Sequence, residues 1–365
     1  MTDIVRYAYP YVYDRDVQRR MEESMGCDQT VFDRLSLDRD VVHWEDYLDV
    51  LTPIHLERNT DGREMCFKRD DFFAPLGYHG INGSKLRQAI YLFSTYAMDR
   101  GHVVNGAFVN SIQLPLCALC GRHFGKKVTA VLGHTTPDKC RKYEMVDMSY
   151  RIGCEFDFVS VGYNNSLQRR CREILSADPE STFYLEYGTS LDIMNHTPVE
   201  IYDFHHVAAR QTMNIPYGMT DIVIPAGTCS SAAGILLGLC ENGFRDIKRV
   251  HLVGIGPSKT NRLAERLEVM SGCSVDCCVY DGLPYTMKIS RHRPIQTYFY
   301  DLHGEHYCQY NDEMPFQFGS IDLHPTYEGK VMTYIYERMP ELVRSTTLFW
   351  IVGNKPRKEV VLPYV

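Results

Sequence analysis

No apolar run in this 365-residue chain approaches the roughly 20 residues that a bilayer span needs. The opening stretch MTDIVRYAYPYVYDRD carries none of the basic, apolar and small-residue blocks of a signal peptide, which gives a cytoplasmic expectation with no membrane partner. There is no excess of positive charge: 39 Lys and Arg stand against 46 Asp and Glu, a net charge of −7. Such a field repels nucleic acid unless basic groups gather on one face, and short clusters such as Arg169-Arg170 and Arg291-His292-Arg293 leave nucleic acid open as a partner. Internal repeats and low-complexity tracts are missing, which excludes solenoids and fibrous classes. Nor is any nucleotide fingerprint complete. Gly254-Ile-Gly-Pro-Ser-Lys-Thr260 lacks the third glycine of a dinucleotide turn and the spacing of a phosphate loop, so it reads as a strand-to-helix turn with Ser258 as N-cap. The 13 cysteines, with no export signal, read as reduced and mostly buried thiols. Cys117-Ala-Leu-Cys120, followed by His123, lacks a second ligand pair; core packing is the expectation there and no metal site.

What is present is a rhythm. The length exceeds one ordinary core, so two domains, or one α/β domain with a satellite, are expected. From Lys85, Leu86, Ala89, Ile90, Phe93 and Ala97 recur at helical spacing, with a stop expected near Gly101. VVNGAFV then reads as a strand, and KVTAVLG, EFDFVSVG, STFYLEYG, DIVIPAG and RVHLVGIG continue the series, each followed by a helix-compatible run. Short apolar strands alternating with helices indicate mostly parallel sheets covered on both faces, with ligands beyond the carboxyl ends of the strands. The first sixty or so residues and the region after about Gly272 break the rhythm, and 285–310, rich in aromatics and histidine, has no readable period.

Two stretches carry chemistry. GINGSKLR, residues 80–87, places Lys85 at the start of a helix, and AGTCSSAAG, residues 226–234, lies between the strand DIVIP and the helix GILLGLC. In the second, small residues admit a phosphate to the backbone, Thr228, Ser230 and Ser231 add hydroxyl donors, and the helix N-terminus supplies oriented N–H groups. A lysine ahead of one helix and a hydroxyl-rich cradle ahead of another suit a phosphorylated aldehyde held as a Schiff base, which is pyridoxal 5'-phosphate.

These motifs resemble the fold type II, tryptophan-synthase-β-like enzymes that use pyridoxal phosphate. The similarity is strongest to the branch containing 1-aminocyclopropane-1-carboxylate deaminase and D-cysteine desulfhydrase. Leu51-Thr-Pro-Ile-His-Leu56 and Lys68-Arg-Asp-Asp71 resemble that branch's opening segments, and GINGSKLR falls on its Gly-Gly-Asn-Lys-x-Arg-Lys. Glu186-Tyr-Gly-Thr-Ser190, Leu323-His-Pro-Thr-Tyr-Glu-Gly-Lys330 and Thr347-Leu-Phe-Trp350 follow in order, so the match runs from about residue 50 to 355. The resemblance implies an α/β fold of two three-layer domains with mostly parallel sheets and the cofactor in the cleft between them. It implies an extension over 1–48, a larger cofactor domain of 49–84 and 200–365, a smaller domain of 85–199 carrying the substrate loop, and a homodimer. It assigns the Schiff base to Lys85 and the phosphate to Gly227, Thr228, Cys229, Ser230, Ser231 and Ala232. Asn110 and Tyr187 fall beside the cofactor, Glu328 at its ring nitrogen, and Tyr327 beside the ring as acid, base or attacking group. Asn110, Ser111, Ile112, Gln113 and Tyr327 are the implied substrate contacts.

The departures bear on the reaction. Ser84 replaces the asparagine before the family lysine, Cys229 replaces a loop glycine, and the substrate loop Asn110-Ser-Ile-Gln-Leu-Pro115 is less polar than the family's Ser-Asn-His/Gln-Thr-Arg/Gln. The first expectation is elimination or deamination of an amino acid at Cα or Cβ, through an external aldimine and a quinonoid. A second is decarboxylation of an amino acid attached to a larger carrier, similar to the amino-acid adducts that some phages trim on thymine in DNA. Ile112 favours this one, since a carboxylate loosely held in apolar surroundings loses carbon dioxide more readily. A third is a binding protein that kept the fold and lost catalysis.

Overall fold

The computed structural model describes residues 48–76, 81–242, 246–256, 260–270, 274–278, 285–290 and 295–356. Ser258, Lys259, Gly80, the Arg291-His292-Arg293 cluster and the first 47 residues lie outside them. Along the chain run β1 (Ile54–Arg58), β2 (Glu64–Arg69), α1 (Ser84–Thr95), β3 (His102–Gly106), α2 (Gln113–His123), β4 (Lys127–Gly133), α3 (Glu144–Ile152) and β5 (Glu155–Val159). They continue with α4 (Asn164–Ala177), β6 (Thr182–Leu185), α5 (Pro198–Ala209), β7 (Asp221–Ala226), α6 (Ser230–Asn242), β8 (Arg249–Gly254) and α7 (Thr260–Val269). β9 (Ser274–Cys278), β10 (Tyr285–Ser290), β11 (Ile295–Asp301), β12 (Phe316–Phe318), β13 (Ile321–Leu323), α8 (Glu328–Arg338) and β14 (Thr347–Ile351) complete the described elements. The helix begun at Lys85 stops at Thr95, short of Gly101, and the unreadable 285–310 segment supplies two strands.

Among the described residues, one compact unit holds 49–73 and 193–354, and the other 48, 74–192 and 355–356. The first contains an eight-stranded sheet in the order β1-β2-β14-β7-β8-β11-β10-β9. Its centre, β2 to β11, is parallel, while β1 and the β10–β9 pair join antiparallel at the edges. On one face Phe67, Val223, Val253, Phe349 and Ile351 pack with Val331 and Ile335 of α8 and with the β12–β13 hairpin. Side chains alternate between faces along a strand, so Lys68 and Trp350 point the other way. There they are satisfied: the fully buried Lys68 donates to Thr52 O and Asn214 Oδ1, both at 2.7 Å, and Trp350 Nε1 donates to Asp70 Oδ2 at 2.9 Å. Lys68-Arg-Asp-Asp71 is therefore structural cement for the sheet.

The second unit is a four-stranded, wholly parallel sheet in the order β5-β4-β3-β6. Leu167 and Cys171 of α4 pack on Val104, Val131 and Tyr184. α2 covers the opposite face: a Cβ on its Gly121 would come within 2.0 Å of Val128, three positions from Val131 and hence of opposite orientation. Cys117 and Cys120 sit on α2 fully buried, and burial pushes both thiols well up. Local signals set the helix ends. α5 opens with a capping box, Thr197 and Glu200, and Pro198 at its first position; α3 closes on Gly153 at φ 110°.

Candidate active site

In the larger unit β7 ends at Ala226, and Gly227, Thr228 and Cys229 turn the chain into α6. Cys229 adopts a left-handed φ of 61°. The buried Arg266 on α7 donates through Nη1 to Thr228 O at 3.0 Å. In a trans peptide the following N–H points opposite to that carbonyl, so the Cys229 N–H faces away from Arg266, as an anion site at a helix start requires. A Cβ at Gly227 would meet only Ile255 Cδ1, at 3.9 Å, so protein packing does not demand glycine there; the loop has room beside its backbone. Gly234 is different. A Cβ on it would lie 2.6 Å from both Ala208 Cβ and His205 O, and one on Gly238 2.3 Å from Ala209 O. These two glycines let α6 press against α5, so the end of the sequence cradle serves helix packing.

Glu328 is the first residue of α8 and is fully buried. Its Oε1 accepts the Val352 N–H at 3.1 Å, while Oε2 meets no hydrogen-bond donor among the described residues. Burial, aided by the negative Asp71, pushes this carboxyl up to about 8 against the partial opposition of backbone N–H groups. A carboxyl that keeps its proton near neutrality, with one oxygen open, suits a basic ring nitrogen: the proton can be shared and the charges compensated. The room at Gly227 and the open oxygen of Glu328 both fit pyridoxal phosphate.

Tyr327 precedes this carboxyl, and its hydroxyl lies 2.9 Å from that of Tyr310, with the His324 ring centroid 4.6 Å from its own. The buried Lys330 donates to Gln309 O at 2.6 Å and Tyr310 O at 2.7 Å, fixing the segment that presents Tyr310, and Gly256 after β8 leaves space for that ring. Sequence reasoning missed Tyr310, His324 and the part played by Lys330. Two of them stood inside or beside a recognised motif, but Tyr310 sits in a stretch without period and had no signal.

In the smaller unit Lys85 is the second residue of α1, half-buried, behind the N-cap Gly83 at φ 93°, a conformation that favours glycine. After β3 the chain turns over Phe108–Ser111, where the Ser111 N–H reaches Phe108 O at 2.8 Å. Asn110 is exposed and Ile112 half-buried. Ser111 Oγ accepts the Gln113 N–H at 3.2 Å. Gln113 itself is buried: Nε2 donates to Glu186 O at 3.0 Å and Oε1 accepts the Gly188 N–H at 2.7 Å. Its amide therefore positions the Glu186–Gly188 turn that carries the half-buried Tyr187. That turn contains two successive left-handed residues, Gly188 at φ 84°, where glycine is at ease, and Thr189 at φ 55°, where a β-branched residue is strained.

Comparison with known proteins agrees with this reading. No protein-family model matches the chain. It is 40% identical over 372 residues to the O-seryl-dTMP PLP-dependent decarboxylase of Salmonella phage ViI, covering 91% of this chain and 88% of that protein. Among solved structures it is similar in fold to an ACC deaminase homologue, with TM-score 0.60, 18% identity and coverage of 83% and 89%. The apo form of Escherichia coli diaminopropionate ammonia lyase gives TM-score 0.52 at 11% identity, covering 98% and 96%. The processed form of threonine deaminase isoform 2 from Solanum lycopersicum gives 0.51 at 12%, covering 98% and 89%. The chain belongs to the fold type II family of pyridoxal-phosphate-dependent enzymes.

Proposed function

We propose that this enzyme removes the carboxylate of an amino acid carried on a nucleotide, and that a serine joined through oxygen to thymidine monophosphate is its substrate class. The likeness to a phage enzyme named for that substrate supports the class. The observation that carries the reaction is the state of the loop after β3. The Ile112 side chain offers no donor, and the Gln113 amide is bonded at both ends to the Glu186–Gly188 backbone, so two of the loop's four implied contacts give a carboxylate nothing and only the Asn110 and Ser111 side chains are left to hold it. A carboxylate left in apolar surroundings is destabilised relative to carbon dioxide.

Bound pyridoxal phosphate supplies an aldehyde carbon that condenses with amines and a ring that accepts an electron pair from Cα. Lys85 would be the residue that holds the aldehyde carbon. Thr228, Ser230, Ser231 and the N–H groups around Cys229 would hold the phosphate, with Gly227 and Ala232 leaving room for it. Glu328 would keep a proton at the ring nitrogen, and Asn110 and Tyr187 would stand beside the ring. As the bond between Cα and the carboxylate breaks, a proton from Lys85 Nζ or the Tyr327 hydroxyl takes the vacated position at Cα. Elimination or deamination would use the same residues, so the products decide. Holoenzyme incubated with O-seryl-dTMP should yield carbon dioxide and an amine retaining the nucleotide, read by mass. Ammonia release without carbon dioxide would refute the reading.

A further inference from the structure

We propose that His134 and Tyr163 form the platform on which the pyrimidine ring of the substrate stacks; this rests on the reading that the amino acid is carried by thymidylate. In the smaller unit β3, β4 and β5 are parallel neighbours, so the chain leaves all three at the same edge. The substrate loop follows β3, His134 follows β4, and Tyr163 stands four residues beyond β5. With neighbouring strands roughly 5 Å apart, the two rings lie one to two spacings, on the order of 5–10 Å, to the side of that loop. An amino acid held there and joined through a few single bonds to a base places the base at about that distance.

The pair is built with care. The ring centroids are 5.8 Å apart at 82°, edge to face. Tyr163 is 68% exposed, His134 is exposed, and neither belongs to a described core cluster, so packing does not explain them. A Cβ on Gly133 would fall 2.4 Å from Gly162 Cα, and one on Gly162 2.4 Å from His134 Cδ2. Only glycine at both positions lets the two turns touch. His134 moreover holds a left-handed φ of 58°, which a non-glycine residue adopts at a cost. Single exposed aromatics are ordinary; two rings pinned edge to face by paired glycines and a strained backbone, beside the substrate loop, are not. Every base has a π-face, and stacking on such a ring is a usual way to hold an unpaired base.

The test uses holoenzyme in four forms: unchanged, Tyr163→Ala, Tyr163→Phe and His134→Ala. Equilibrium dialysis with dTMP, and separately with a short single-stranded thymidine oligonucleotide, reads the platform without turnover. Tyr163→Ala should weaken binding about 10- to 100-fold, the usual scale for one lost stacking partner. Tyr163→Phe, which keeps the ring, should restore it, and the KM for O-seryl-dTMP should rise in parallel in Tyr163→Ala. Preference for dTMP over the oligonucleotide identifies a free nucleotide as the ligand; the reverse identifies a strand of DNA. Equal binding by unchanged enzyme and Tyr163→Ala, or no binding of either ligand by unchanged enzyme, would overturn the platform. If dTMP binding depends on Tyr163 but no carbon dioxide is released from O-seryl-dTMP, the platform stands and the decarboxylase reading falls.

Discussion

Two carboxylates in the larger unit, both fully buried, meet opposite fates at opposite ends of the strands of one sheet. Asp221 opens β7 in register with Arg249 at the start of β8. It accepts from Arg249 at 2.7 Å, Arg344 at 2.8 Å, Thr220 at 2.7 Å and contacts His251 at 3.0 Å. Burial alone would raise this carboxyl, but those hydrogen bonds hold it far below the usual range. Glu328 lies near Val352, just past the end of β14, and keeps an open oxygen and an elevated carboxyl. A buried carboxyl whose partners are complete serves the fold; one with an open oxygen beyond the carboxyl ends of parallel strands has bonding capacity that the fold does not use.

The contrast can be broken in several ways. Lys85→Ala should abolish turnover and the visible band of the bound cofactor while leaving the phosphate loop able to bind it weakly; full activity would remove Lys85 from the site. Glu328→Gln should fold and bind cofactor but lower kcat by about 10²-fold, the scale of losing a major electrostatic contribution, in steady-state assays. Asp221→Asn should act the other way, costing about 3 kcal/mol in denaturant unfolding, as for other broken buried ion pairs, with kcat per folded molecule retained. The pH slopes should oppose each other as well. Glu328 rises from 4.5 to about 8 on folding, so the folded protein holds a proton that the unfolded chain has released, and stability falls as pH rises through that window. Asp221 is depressed, so its contribution is present above the ordinary carboxylate range and lost as pH falls through its folded value. Melting curves of cofactor-free protein from pH 5 to 8 should slope downward, and Glu328→Gln should flatten them. The smallest effect is at Ile112: Ile112→Asn should tighten ground-state binding by about 1 kcal/mol and lower kcat, with KM falling or unchanged. No change in either constant would place Ile112 outside the carboxylate pocket.

Many of the strands were legible because buried parallel strands are nearly continuous apolar runs: KVTAVLG became β4, residue for residue, with six of its seven positions buried. The 285–310 stretch was not: of its two strands β11 pairs with β8 in parallel, but β10 is held between β11 and β9 by antiparallel pairs, and the stretch mixes tyrosine and histidine with charge. Lys85 and Glu328 stand out in the sequence because the chemistry proposed for them demands particular residue types. Tyr310 was not: what brings it to Tyr327 is a lysine 20 residues away that bonds two carbonyls, and no local pattern encodes that. The bonds of Gln113 to the Glu186–Gly188 backbone had no signal either, because loop polarity alone does not distinguish binding a ligand from binding the protein's own backbone.

The segmentation of the larger unit also sets an order of assembly. All the strands of the smaller unit's sheet are contiguous within residues 102–185, so that sheet can form while the chain is still being synthesised. β2 cannot be completed in the same way: its partner β14 pairs Cys66 with Leu348, and the Asp70 carboxylate waits for Trp350. Until β14 leaves the ribosome, Phe67 and the Gly227–Cys229 turn belong to an open sheet. A nascent chain of this enzyme thus carries a folded lobe and an exposed apolar sheet edge, and it is that interval, rather than the finished protein, in which chaperone binding and aggregation compete.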